Sequence, residues 1–253
     1  MKIFRAKRSE KLRDKRFKSY LQYAAGEIFL VVIGILIAVQ INGLAQSKKE
    51  NEELREYLVK IKSHTKEDRI VLDSLEGFRS SVGELCKKAR RAILNDKEKE
   101  RMFIMLGGST AFFDYYFVSN SDGYEALKNS NHYGKINNTR LDSLLTRYHR
   151  LVGEIAQNEK SYNEYLNSQE NYLSTQYDRT LFLAYAFIPQ DSLKKLATPM
   201  ADYYKAIDEY TSLPPFRNVI NLASYQFDWI VDAYGNLKDT GEEVNKEIDV
   251  WLQ

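Results

Sequence analysis

An all-α fold is predicted, with one N-terminal transmembrane helix running on into a stalk and an antiparallel helical bundle outside the membrane. Three observations carry that expectation. The run Ile28 to Val39, IFLVVIGILIAV, is twelve residues without one polar side chain. Only four prolines and twelve glycines punctuate 253 residues, which suits long helices better than many short strands. Beyond the apolar run, hydrophobic residues recur at three- and four-residue spacing.

Residues 1–19 read as a basic cytoplasmic tail. They hold nine cations (Lys2, Arg5, Lys7, Arg8, Lys11, Arg13, Lys15, Arg16, Lys18) against Glu10 and Asp14. The tail is therefore +7, and a whole-chain charge of +2 leaves the remainder at −5. A nucleic-acid binder would carry its basic patch on a folded domain. Here the patch borders an apolar run, so Lys7, Arg8, Lys11, Lys15, Arg16 and Lys18 are expected at anionic lipid headgroups.

Residues 20–46 form the expected membrane segment. Tyr23 to Leu44 is interrupted only by Glu27, Gln40 and Asn42. At 1.5 Å per residue these twenty-two residues reach roughly 33 Å, enough for a hydrocarbon core of about 30 Å. Positive charge before the span puts the N-terminus in the cytoplasm and the bulk outside. A cleaved signal peptide is the competing reading, because Gly43-Leu44-Ala45 is a passable cleavage site; the long basic region and polar Gln40 and Asn42 argue against it. At 100° per residue, Glu27, Gly34, Ala38 and Asn42 share one stripe. Gly34 and Ala38 make a small-xxx-small pair, which lets a second helix approach closely. A carboxylate in a span is costly and marks a site or a paired partner. Glu27 also lies about one turn inside the cytoplasmic boundary, so reaching the interface, or pairing with Lys18 or another tail cation, is the preferred reading, with an ion-handling carboxylate or a buried contact between subunits as the alternative.

Residues 47–95 are expected as a long stalk or bundle helix, with Leu58, Ile61, Leu72, Leu75, Val82 and Ala89 on its seam. Thr65 and Asp68 interrupt that seam, which excludes an ideal coiled coil throughout. Residues 96–253 are expected as a helical periplasmic domain. Asn95-Asp96 breaks the helix, and a short helix is expected over Lys97–Leu106. Gly107-Gly108-Ser109 reads as a turn, and the aromatic run Ala111 to Val118 as a buried connection or short helix. Ser121 is expected to cap the next helix, Gly134 to take a left-handed position, and Asn137 or Asn138 to cap a long helix carrying Leu141, Leu145, Tyr148, Ile155, Tyr162, Leu166 and Tyr172. Leu181–Ile188 should stop at Pro189. Shorter helices follow over Asp191–Leu196 and Pro199–Tyr210. After Pro214-Pro215 a last helical region is expected, loosened at Gly235 and Gly241.

Chemistry is sparse. His64, His132 and His149 lack ligand-spaced neighbours, so no metal site is expected and each reads as a surface or turn residue. Cys86 has Lys87, Lys88 and Arg90 beside it, which can activate a thiol, but it reads better as a small buried apolar group. No G-x-S-x-G and no phosphate loop occurs. Tyr162, Tyr165, Tyr172 and Tyr177 have the spacing of a stacking platform for glycans and equally of a bundle seam; the seam is preferred. No catalytic residue, no cofactor and no enzymatic activity are expected.

The run Gly26 to Asn42, GEIFLVVIGILIAVQIN, resembles the span of an uncharacterised family of bacterial envelope proteins, domain-of-unknown-function family 6090. Tyr124-Glu125-Ala126-Leu127 through Gly134-Lys135-Ile136, followed by Asn138–Tyr148, resembles a later segment of that family. Gly43-Leu44 departs from it, since members often continue with Asn-Trp. The resemblance implies an uncleaved inner-membrane anchor with a periplasmic domain and supplies no activity. Two functions fit. One is an oligomeric scaffold whose partners are lipid, another copy, and envelope proteins. The other is a subunit of an ion-driven energy-transducing complex, similar in layout to stator and ExbD/TolR-like proteins, with Glu27 carrying a proton beside a multi-span partner.

Overall fold

The computed structural model describes the backbone of residues 3–95 and 106–253, and the side chains of residues 26, 27, 29–95 and 106–253. The chain is all-α; no strand occurs among the described residues. Helix α1 covers Ile3–Leu94, and a 3-10 turn covers Ser109–Phe112. Two short helices follow, α2 (Asp122–Lys128) and α3 (Tyr133–Ile136), and then the long α4 (Arg140–Gln176). Next come α5 (Thr180–Phe187), α6 (Gln190–Leu193), α7 (Met200–Ser212) and α8 (Pro214–Leu252). The chain separates into two compact units, residues 1–56 and 57–253.

In the first unit the apolar side chains point outward. Phe29, Leu30, Val31, Val32, Ile35, Leu36, Ile37 and Val39 are all exposed. Local side-chain pairings here join Gln46 with Glu50 and Lys49 with Glu53. The expected lipid contacts of Lys7, Arg8, Lys11, Lys15, Arg16 and Lys18 lie outside the described side chains.

The second unit closes a core of its own around three long segments: the C-terminal half of α1, α4 and α8. Helix α8 runs antiparallel to both others. Lys62 pairs with Asp249, Thr65 with Asn245, Arg69 with Glu242 and Lys87 with Asp228, so residue numbers rise on α1 as they fall on α8. Against α4 the same half of α1 runs parallel, since Asp68 meets Tyr148 and Arg79 meets Glu159. A parallel pair requires the chain to return along the bundle between them, and residues 108–123 do so: Gly108 lies at Cys86, Ser119 bonds Asp68 and Gly123 N donates to His64. Leu58, Ile61, Leu72, Val82 and Ala89 of α1 are buried as their spacing predicts, with Leu145, Ile155, Tyr162 and Leu166 of α4 and Val219, Phe227, Tyr234 and Ile248 of α8. A second aromatic cluster joins the 3-10 turn, α5, α7 and the start of α8. Phe112 stacks on Phe216 at 5.1 Å, and Phe182 and Tyr210 lie 4.3 Å apart beside them.

Several local expectations are corrected. Gly107-Gly108 is helical rather than a turn, and a Cβ on Gly108 would lie 3.1 Å from Ile220 Cδ1. Glycine is there for close approach. Gly134 is not left-handed; the described residue with positive φ is Asn138, at 61°. The cap of α4 is neither Asn137 nor Asn138 but Thr139, whose hydroxyl accepts from Asp142 N at 3.3 Å. Asp142 in return accepts from Asn138 N at 3.1 Å, a reciprocal cap one residue later than expected. The Ser121 side chain caps nothing, since Ser121 itself sits in the helical region. Tyr172 is exposed rather than on the seam. Gly235 and Gly241 do not loosen α8, which is continuous to Leu252. Packing holds Gly241 in the helix, where an added Cβ would sit 3.1 Å from the Tyr148 ring. The helix expected over Lys97–Leu106 falls outside the described residues except for its last position, which is helical. Ala111–Val118 holds a 3-10 turn and then an extended connection with Phe117 buried.

Replacing Leu145, fully buried on α4, by alanine is expected to cost about 2–5 kcal/mol, while Val250→Ala on an exposed face of α8 costs almost nothing. Urea denaturation followed by circular dichroism measures both.

Candidate functional site

The sequence-predicted site residues occupy one face of α1. Glu27, Gly34, Ala38 and Asn42 are all exposed, and an added Cβ at Gly34 meets nothing within 4 Å. An eighteen-residue window of the segment Phe29–Leu94 is long and apolar enough to cross a membrane, and none of that window is buried. What the arrangement offers chemically is a close-approach surface with one carboxylate at its N-terminal end and one carboxamide at the other.

The helical domain holds polar groups that sequence reasoning missed. Arg79 and Glu159, 1% and 0% exposed, lie with Arg79 Nη2 3.6 Å from Glu159 Oε1. Arg79 donates from Nε to the Tyr234 hydroxyl at 2.9 Å and from Nη2 to the Tyr115 carbonyl at 2.9 Å. Glu159 accepts from the Tyr234 hydroxyl and from Phe117 N, the latter at 2.7 Å. The guanidinium also sits 4.9 Å from the centre of the Phe227 ring. Every charge is thus matched by a partner, as burial requires. The one orphan beside this network is Asn163 Oδ1; its amide nitrogen donates to the same Tyr115 carbonyl at 3.1 Å. Burial, then the Glu159 hydrogen bond, keep the Tyr234 hydroxyl protonated far above its ordinary range.

A second polar cluster explains the interruption at Thr65 and Asp68. Asp68 accepts from Ser119 Oγ at 2.6 Å, Tyr148 OH at 2.8 Å and Asn120 N at 3.1 Å. Thr65 donates to Asn245 at 2.7 Å. Both residues therefore bind across helices, and the seam stays shut around them. The histidine expectations need correcting at two positions. His64 is buried and accepts from Gly123 N at 3.4 Å. His149 is half-buried, its ring stacked 3.9 Å from Tyr124. His132 stays at a turn. No group of three or more metal-binding side chains occurs among the described residues. Cys86 is fully buried against Gly108, and that burial pushes its thiol up to about 12, the opposite of activation by the neighbouring cations. Of the four tyrosines, Tyr162 is a seam residue bonded to the Ala111 carbonyl at 2.7 Å, Tyr165 is half-buried, and Tyr177 bonds the Ala206 carbonyl.

These features define a class: an all-α protein in which one helix is long and apolar enough to span a membrane and a separate helical unit encloses its own core. The chain belongs to the family of unknown function DUF6090, whose model matches residues 27–191. That match begins at the stripe carboxylate and ends within α6, so α7 and α8 lie beyond it. No curated protein and no solved structure matches the chain.

Two predictions follow from the polar clusters. Arg79→Met removes the cation beside buried Glu159, and is expected to cost about 3–5 kcal/mol in urea denaturation. The double change Arg79→Met, Glu159→Leu is expected to cost less than the single one. The second concerns His149, whose burial holds its imidazole below the usual 6.5 despite the pull of Glu125 and Asp68, with Lys128 adding to the depression. The unfolded imidazole takes a proton near pH 6.5 while the folded one resists it. Its stabilising contribution is therefore complete above pH 6.5 and is lost as pH falls through the lower folded value. Melting temperatures measured from pH 7.5 to 5 should fall, and His149→Gln should flatten that slope.

Proposed function

We propose that this chain is a single-pass inner-membrane anchor of a bacterial envelope, with its N-terminus cytoplasmic and its helical domain periplasmic, serving as an oligomeric scaffold. The observation that supports this reading most is the contrast between the two units. The helical domain encloses an apolar core, whereas the span leaves most of Phe29 to Val39 exposed along with the open stripe of Gly34, Ala38 and Asn42. Exposed apolar side chains on that scale suit a hydrocarbon surround. A small-residue stripe among large ones suits a second helix, because van der Waals approach drives association where the hydrophobic effect does not. The excess of cations before the span supports the orientation. The same stripe carries Glu27, and a carboxylate there supports the second reading, a subunit that takes up a proton for an ion-driven complex.

The two readings separate at Glu27 and Gly34. The test is native mass in lipid nanodiscs, with cysteine cross-linking along the stripe. Gly34→Leu is expected to reduce the oligomer to a monomer under the scaffold reading. Glu27→Gln, which keeps shape and hydrogen bonding but cannot ionise, is expected to leave both assembly and cellular phenotype intact. A phenotype lost with assembly preserved would establish the proton-carrying reading instead.

A further inference from the structure

On the outer side of the α4–α8 pair lies an open groove of about 410 Å³, lined by Ser161, Tyr165, Asn218, Asn221, Leu222, Tyr225 and Gln226. None of these carries a charge, in a chain of which 28% is Asp, Glu, Lys or Arg. The nearest charges by sequence on α4, Lys160 and Glu164, pair with one another at 3.7 Å. Three carboxamides and three hydroxyls remain. Among the described residues, the side chains of Ser161, Tyr165, Asn218, Asn221, Tyr225 and Gln226 make no hydrogen bond, though the backbone carbonyls of Tyr165 and Asn221 accept from Ser168 and Ser224, whereas the clusters around Arg79 and Asp68 are internally paired. Asn218, Asn221, Leu222 and Tyr225 continue at helical spacing to Trp229, which is 67% exposed and meets Tyr225 edge to face at 6.0 Å. Asn218 to Trp229 spans about 16 Å along the helix.

We propose that this face binds a neutral oligosaccharide strand. A sugar ring presents hydroxyls that donate and accept at once, and the six polar side chains of the groove do the same without formal charge. A pyranose also presents an apolar C–H face. Tyr225 and Trp229 supply the exposed aromatic surface that such a face packs on, each with a polar atom left for a hydroxyl. The lining itself offers a charged ligand no counter-ion, and an apolar helix finds six polar side chains to desolvate without partners. The proposal adds a ligand class to the scaffold reading and rests on it only for where the domain meets the glycan.

The test uses the full-length protein in phosphocholine nanodiscs, since maltoside detergents would themselves present sugars. Trp251→Phe isolates the fluorescence of Trp229. Titration with hexamers of β-1,4-linked N-acetylglucosamine and, separately, of glucose is read by fluorescence and calorimetry. Saturable binding of either is expected, and the two hexamers distinguish acetamido sugars from plain ones. Tyr225→Ala and, read by calorimetry, Trp229→Ala should each weaken binding by roughly fivefold or more. Asn221→Asp, which changes charge but not size, should weaken it as well. All three positions are exposed, so melting temperature should not move. Failure of both hexamers to bind folded protein overturns the proposal, as does binding that survives the double change Tyr225→Ala, Trp229→Ala. Conversion of an oligomer to a monomer by Trp229→Ala without any sugar binding also overturns it, making this face an interface between copies. Native mass is recorded throughout, so loss of sugar binding with the oligomer intact leaves the anchor and scaffold reading untouched.

Discussion

The buried pair of Arg79 and Glu159 is the constraint on which the arrangement of the helical domain depends. One comes from α1 and the other from α4, and the Tyr234 hydroxyl of α8 stands between them, accepting from the first and donating to the second. The extended connection is held by the same two side chains through the Tyr115 carbonyl and Phe117 N. Four segments therefore have a single mutual register at which the charges are satisfied. A one-turn shift of α1 against α4 would leave a charge buried without its partner, an outcome several kcal/mol worse, and a shift of α8 would remove the hydroxyl that joins them. The apolar contacts around this point supply the bulk of the driving force, but they are far less selective about register.

Ion pairs along the α1–α8 edge play a lesser part. Arg69 with Glu242, Lys238 with Asp73 and Glu76, and Lys87 with Asp228 and Glu84 stand at the surface, where water and salt screen them. Their geometry agrees with the register that the core imposes. The hydrogen bonds and attraction of their cations hold the carboxyl groups of Asp73, Glu84 and Glu242 below the ordinary range. The outcome is a seam with matched charges outside and one fully enclosed charge pair inside.

Much of this was legible in the sequence, and the residues show why the rest was not. Periodicity is a property of one helix, and it correctly placed Leu58, Ile61, Leu72, Leu145, Ile155 and Tyr162 in the core. Pro189 and Pro214 stop or start helices by their own stereochemistry, and they appear where expected. The glycines misled, because Gly108 and Gly241 serve neighbours distant in sequence, Ile220 and Tyr148. Arg79 and Glu159 went unnoticed for the same reason: each looks like a solvated helix residue until the partner eighty positions away is known. Thr65 and Asp68 were visible as breaks in the seam, but their answering groups, Asn245, Ser119 and Tyr148, were not. On the span, sequence and structure carry nearly the same information, since a helix whose face is open has no tertiary partner to reveal. Of the groove between α4 and α8 only Tyr165 stood out in the sequence, among tyrosines weighed as a stacking platform; its other lining lies on a helix more than fifty residues away.

The antiparallel register of α1 and α8 also orders events in time. Lys62 meets Asp249, a separation of 187 positions, and each step along the seam joins an early residue to a late one. Contacts this distant in sequence demand that most of the chain be confined before any of them rewards it. The half of α1 that forms one wall of the core is synthesised first and its facing wall last. Until α8 emerges, Arg79 and Glu159 lack the hydroxyl that joins them, and the apolar seams of α1 and α4 remain uncovered. Closure of this core therefore waits for α8, in a chain whose apolar span is made before it.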